Sequence, residues 1–274
     1  MPRAAPAPGA VERLARHDRL IVLGAVGLIV LLAGLYTLYG VGMRMTALEM
    51  TRMARPIGRP MAMGGAQVWT LAYAMLIFLM WWIMMIAMMT PSAAPMLLLF
   101  AAIKRARAER WQAQRDSLLF LSGYLLAWAV FSALATALQW ELERAGLSSG
   151  PMMTLSSRTL AGGVLIAAGL YQLTTLKSAC LSHCKAPAQF LTQHRRVGAM
   201  GALLMGAHHG AYCLGCCWAM MALLFVGGIM NLYWIVGLAL FVLAEKLLPD
   251  RFDTPRIAGG LLIVFGGVVL TTGL

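Results

Sequence analysis

The chain has 274 residues, 61% of them apolar and 12% charged, with a mean hydropathy of +0.77. Soluble domains carry about 25% charged residues, so an ordinary water-soluble domain is excluded, and no polar stretch is long enough to build a separate extramembrane module. The formal charge of +12 lies between hydrophobic runs, where anionic lipid and membrane orientation account for it and nucleic acid does not.

In chain order, Met1 to Gly9 carries Pro2, Pro6 and Pro8, has no hydrophobic period and reads as disordered; residues 1–19 together are expected to form a disordered cytoplasmic tail. A run of about 20 apolar residues fills a bilayer as a helix, and seven such runs follow. The first is Leu20 to Tyr39; no small-residue cleavage site follows it, so it stays as an anchor. The second is Val68 to Met89. After Pro91 and Pro95, Leu97 to Ile103 is too short to span and continues as a basic interfacial helix to near Arg110. The third and fourth are Leu118 to Leu138 and Leu160 to Leu176. Val197 to Leu248 exceeds one span and is best cut at Gly227-Gly228 and Asn231, a turn or cap signal, which makes a long fifth helix and a sixth from Leu232 to Leu248. Ile257 to Thr272 is the last.

Lipid offers no partners to backbone amides, and the runs are too long and continuous for barrel strands. The expected fold is therefore all-α, a polytopic transmembrane helical bundle of about seven spans, forming one domain over residues 20–274. No internal repeat is visible. Sixteen Lys and Arg fall on the N-terminal side of the membrane and six on the other, which places the N-terminus in the cytoplasm and the C-terminus outside.

The five cysteines cluster as Cys180, Cys184, Cys213, Cys216 and Cys217, in a window that also holds His183, His194, His208 and His209. Cys180 and Cys184 bracket His183 in the loop after span four; on a helical turn residues four apart face one way, so both thiols can reach one ion. At about 100° per residue, His209, Cys213, Cys216 and Met220 fall within about 60° of one another, with Met205 beside them. Cys217 sits off that stripe and His208 points away from it. One buried cysteine is usually a small hydrophobe. Five thiols and a histidine pair on two neighbouring segments of a chain with no other cysteine point instead to metal.

Donor softness selects the ion. Thiolates with thioethers nearby favour Cu(I), whereas a closed Cys/His tetrahedron suits zinc. Methionine, present 21 times, decides for copper. In the second span Met80, Met84 and Met88 share a face, with Met85 and Met89 adjoining; such a stripe is often core filler, yet it lies at the same side as the cysteine loop. Met43, Met45, Met50, Met53, Met61 and Met63 in the outward loop could receive or release Cu(I) outside. The expected primary ligands are Cys180, Cys184, His209, Cys213 and Cys216, with Cys217, His183 and Met220 as further donors and Met84, Met85, Met88 and Met89 as secondary ones. Glu245 and Lys246 form an ionisable pair near the end of span six, where Lys246 reads as snorkelling to the surface.

Two other functions compete. Cys213-x-x-Cys216 has the spacing of redox-active dithiols, which would make a membrane thiol-disulfide oxidoreductase. A reducing cytosol, the histidine and the methionines favour metal. A structural zinc site in the bundle is the third reading. No catalytic triad, nucleotide loop or carboxylate dyad is present, so a non-enzyme is expected.

Four stretches carry a family resemblance: Trp82-Ile-Met-Met-Ile-Ala-Met-Met-Thr-Pro91, Lys177 to Cys184, His209-Gly-Ala-Tyr-Cys213-Leu-Gly-Cys216-Cys217-Trp218-Ala-Met-Met221, and Glu245-Lys246-Leu-Leu-Pro249. From Trp82 to Pro249 the chain resembles a bacterial family of predicted metal-binding integral membrane proteins, which includes the membrane copper-delivery protein accompanying bacterial tyrosinase. The resemblance implies a copper chaperone role in loading a cuproenzyme, with the C-x-x-x-C and H-x-x-x-C patterns as binding motifs; a place in the cell inner membrane and a soluble copper carrier as alternative partner are the further expectations.

Overall fold

The computed structural model describes residues 10–40, 43, 45–54, 57, 68–106, 109–149 and 152–272, and over them the chain is helical apart from one small hairpin. Helix α1 (Ala10–Tyr39) begins well before Leu20, so residues 10–19 are helical where a disordered tail was expected; Ala, Glu, Leu and Arg there are strong helix formers. Residues 1–9 lie outside the described residues. The short α2 (Ala47–Arg52) opens with a capping box: Thr46 Oγ1 accepts from the Glu49 amide at 3.2 Å, and Glu49 Oε2 accepts from the Thr46 amide at 2.8 Å. The backbone bond, then the hydroxyl bond, holds the Glu49 carboxyl below its ordinary 4.5.

Helix α3 (Leu71–Arg105) is one continuous element of 35 residues containing both Pro91 and Pro95. The separate interfacial helix expected after the prolines does not exist. Proline removes a backbone bond, but neighbouring helices and hydroxyl side chains make that tolerable in a bundle. Helix α4 (Arg110–Arg144) returns to a hairpin of β1 (Ser148–Ser149) and β2 (Thr154–Leu155), paired antiparallel.

Helix α5 (Arg158–Gln172) bends by 63° into α6 (Thr175–Lys185). The Thr174 hydroxyl starts α6 by accepting from the Lys177 amide at 3.2 Å. Cys180 and Cys184 therefore sit on a helix, not in the loop expected. After α7 (Pro187–Gln193) come the long α8 (Gly198–Ala222), α9 (Leu224–Gly227), α10 (Leu232–Leu247) and α11 (Thr254–Thr272). The break before α10 falls where the sequence places it: Gly228 has φ +100°, and Asn231 caps α10 by accepting from the Tyr233 amide at 3.1 Å.

Among the described residues five helices are long and apolar enough to cross a membrane, or six if the bent α5 and α6 count as one span. The sequence reading of seven counted α10, but its 16 residues reach only about 24 Å against a hydrocarbon core of about 30 Å. The outer faces of α1, α4 and α11 expose Leu28, Leu31, Leu126, Val130, Leu134, Leu261 and Val264, the kind of surface that lipid covers. Where lipid is the solvent, helices associate through close backbone approach. Thus α5 and α11 touch at Gly169 and Gly259, where a Cβ on either would meet the other's carbonyl oxygen at 2.8 or 2.9 Å.

Candidate functional site

Helix α8 buries Met205, His209, Cys213, Cys216 and Met220, the stripe expected from periodicity, and Cys217 with them. Its glycines bring α4 against it. A Cβ on Gly206 would lie 1.9 Å from the Phe120 carbonyl oxygen, and one on Gly123 would lie 2.0 Å from that of Leu203, so the two backbones touch. This contact carries Tyr124 to Cys213, with Oη 3.2 Å from Sγ.

Cys213 is fully buried and is the hub of a closed ring of hydrogen bonds. Lys246 Nζ donates to Cys213 Sγ at 2.9 Å and to Ser92 Oγ at 2.8 Å. Ser92 Oγ donates to the Met89 carbonyl at 2.8 Å, and Tyr124 Oη donates to the same carbonyl at 3.0 Å. Helices α3, α4, α8 and α10 each supply a member. Lys246 thus does not snorkel: it is 8% exposed and turns inward, because Ser92 and Cys213 offer its ammonium the partners that surface water would otherwise provide. Ser92 and Tyr124 escaped sequence reasoning altogether, since a serine after a proline and a tyrosine in an apolar run carry no local signal. The Glu245-Lys246 pair was the available clue.

Helix α6 brings the other thiols. Cys184 is an electrostatic neighbour of Cys213 and Cys216, as is Cys217. Cys180 Sγ rests on the α8 backbone, 2.7 Å from where a Cβ on Gly215 would be. Cys216 and Cys217 both donate to the Cys213 carbonyl, at 3.0 and 2.9 Å. The α6 segment is anchored by Lys177, whose Nζ lies 2.7 and 2.8 Å from the two carboxylate oxygens of Glu245, and by Lys185, which donates to the Leu248 carbonyl at 3.1 Å. With side chains 1% and 0% exposed, the Lys177 and Glu245 charges are partnered as buried charges must be.

His209, one turn before Cys213, is buried between the rings of Phe120, Tyr124 and Phe190, and its Nδ1 has no hydrogen-bond partner among the described residues. His183 is placed elsewhere. Its ring stacks on Tyr212 at 4.1 Å, its Nδ1 bonds the Ala179 carbonyl at 2.8 Å, and it joins His194, His208 and Phe190 in an aromatic group that meets His209 only through Phe190 among these rings.

Met84, Met85, Met88 and Met89 are all buried on α3, and the Met89 backbone belongs to the Cys213 ring. The Met220 sulfur already accepts from Gln172 Nε2 at 2.8 Å, and that of Met205 from the Arg196 amide at 3.3 Å. Of the outward methionines, Met50 is buried on α2, Met43, Met45 and Met53 are half-buried, and Met61 and Met63 lie outside the described residues.

All five cysteines are free thiols. Among the described residues no group of three or more His, Cys, Asp or Glu stands ready to hold an ion. The thiols of α6 and α8 are neighbours, and Cys216 and Cys217 bond the α8 backbone.

A family model described as PpoB2, copper chaperone, matches residues 78–269, a stretch that includes every residue of the thiol cluster and of the ring around Cys213. No curated protein and no solved structure matches the chain.

Proposed function

Because the chain belongs to the PpoB2 copper chaperone family, we propose that it is an integral membrane protein that takes Cu(I) onto its thiol cluster and passes it on for the maturation of a copper enzyme. The observation that carries this reading is the meeting of Cys184 on α6 with Cys213 and Cys216 on α8, two segments that share one soft-donor neighbourhood. Cys184, Cys213 and Cys216 are the central ligands, and Cys180, Cys217 and the orphaned nitrogen of His209 are within the same neighbourhood. The buried thioethers of Met84, Met85, Met88 and Met89 offer neutral soft donors along α3. His183 and Met220 contribute least, the first by its position and the second because its sulfur is already engaged.

Copper is cargo here. A thiol must lose its proton to become a ligand, so loading releases protons and pulls the sulfurs together. Cu(I) fits thiolate and thioether donors better than zinc does, and the positive-inside bias puts the cluster nearer the cytoplasm, where thiols stay reduced. The giver and the receiver are a soluble copper carrier and a cuproenzyme.

The test is metal analysis of the protein purified from membranes, wild type beside a Cys213→Ser, Cys216→Ser double variant. Copper is expected on the wild type and at background on the variant. Equal copper on both, or zinc as the sole metal of the wild type, would overturn the reading.

A further inference from the structure

We propose that Lys246 is the charge-balancing residue of the thiol site and sets its preference for a monovalent over a divalent ion; this rests on the copper-binding reading above. Lys246 Nζ touches Cys213 Sγ at 2.9 Å and Ser92 Oγ at 2.8 Å, and its charge also acts on Cys184, Cys216 and Tyr124. The carboxylate next to it in sequence is already taken: Glu245 is ion-paired with Lys177, which donates to its Oε2 at 2.8 Å. Lys177, Glu245 and Lys246 together therefore leave one positive charge deep in the bundle, beside sulfur atoms. A buried charge needs a counter-charge in a low-dielectric interior, and more so in a membrane, and the sulfur of Cys213 is the group beside Lys246 that can supply it.

Loading the site fixes that anion as metal-bound thiolate. With a monovalent ion, Cys213 and one of Cys184 and Cys216 release two protons as two sulfur–metal bonds form, the third central thiol keeping its proton, with no change of oxidation state. A monovalent ion between two thiolates makes a unit of net charge minus one, which Lys246 neutralises. A divalent ion between the same two thiolates is neutral, so it leaves the Lys246 charge uncompensated and reaches balance only by recruiting a third thiolate. The ammonium at this place thus favours Cu(I) by charge, in addition to the softness of sulfur. Ser92 holds the ammonium by its second bond, so the charge stays at the site when the metal takes the Cys213 lone pair.

The experiment titrates the full chain in detergent with Ag(I), a monovalent probe that does not change oxidation state, and separately with Cd(II). Binding is read by thiolate-to-metal charge-transfer absorption against competing chelators. Lys246→Met is expected to weaken Ag(I) by about tenfold or more and to leave Cd(II) unchanged or tighter. Lys246→Arg keeps the wild-type order. Lys246→Gln, which retains a donor for Ser92 without the charge, behaves as Lys246→Met does and stands in for it if helical circular dichroism shows that the methionine variant fails to fold. Equal losses for both ions would mean a merely structural lysine and overturn the proposal, as would no change in either. Wild-type protein that binds neither ion overturns the copper reading itself.

Discussion

The sulfur of Cys180 lies 2.7 Å from the point that a Cβ on Gly215 would occupy, so this α6 thiol rests directly on the α8 backbone between Cys213 and Cys216. Gly215→Ala cannot be accommodated without moving Cys180. The expected result is about tenfold weaker Cu(I) binding in chelator competition and faster alkylation of Cys180, with a stability loss of about 1–3 kcal/mol. Gly163 on α5 faces open space. Gly163→Ala should keep the copper affinity and gain about 0.5–1 kcal/mol from helix propensity.

The Lys177–Glu245 pair sets where α6 sits. Lys177→Met leaves a carboxylate buried at 0% exposure without its cation, and denaturant unfolding in detergent should show a loss of about 3–5 kcal/mol. Lys177→Met combined with Glu245→Leu removes both charges and should recover most of that loss. A double variant as unstable as the single one would show that α6 needs the ion pair itself.

Gly206 is where α4 and α8 come closest. A methyl there would stand 1.9 Å from the Phe120 carbonyl oxygen, which is backbone and cannot swing aside. Gly206→Ala should therefore lower the unfolding temperature and, by parting the helices, separate Tyr124 from Cys213. Tyr124→Phe tests that contact without disturbing the helix crossing: it deletes the hydroxyl bonded to Cys213 and Met89, and should raise Cys213 alkylation while the fold is retained.

The methionine stripe of α3 separates packing from ligation. Leucine is close to methionine in volume, so replacing Met84, Met85, Met88 and Met89 one at a time by Leu should each cost less than about 1.5 kcal/mol. If the thioethers hold copper in transit, the quadruple Leu variant delivers it more slowly to an acceptor chelator although its thiol cluster still loads. An unchanged delivery rate would assign the stripe to packing alone.

Much of the fold was legible because its causes are local. Apolar runs and turn residues located the break at Gly228 and the cap at Asn231, and helical period put His209, Cys213 and Cys216 on one buried face. Pro91 and Pro95 misled, because proline argues against a helix by propensity alone, and α3 continues through them when neighbours surround it. The count of five or six among the described residues falls short of the seven expected, and Cys180 and Cys184 lie on a helix, for a related reason: apolar composition does not tell a short helix or a bent half-helix from a full span.

Period and composition, then, were enough to say that soft donors gather on two segments, because each segment's pattern is written in consecutive residues. That α6 lies against α8, that Cys217 joins the thiols while His183 stays with the aromatic rings, and that Lys246 turns inward could be decided only by the folded bundle. Cys213 and Ser92 stand 33 and 154 residues from Lys246 in the chain. They meet because α10 packs against both α3 and α8, and the way helices pack is a property of pairs of surfaces that no single stretch of sequence contains.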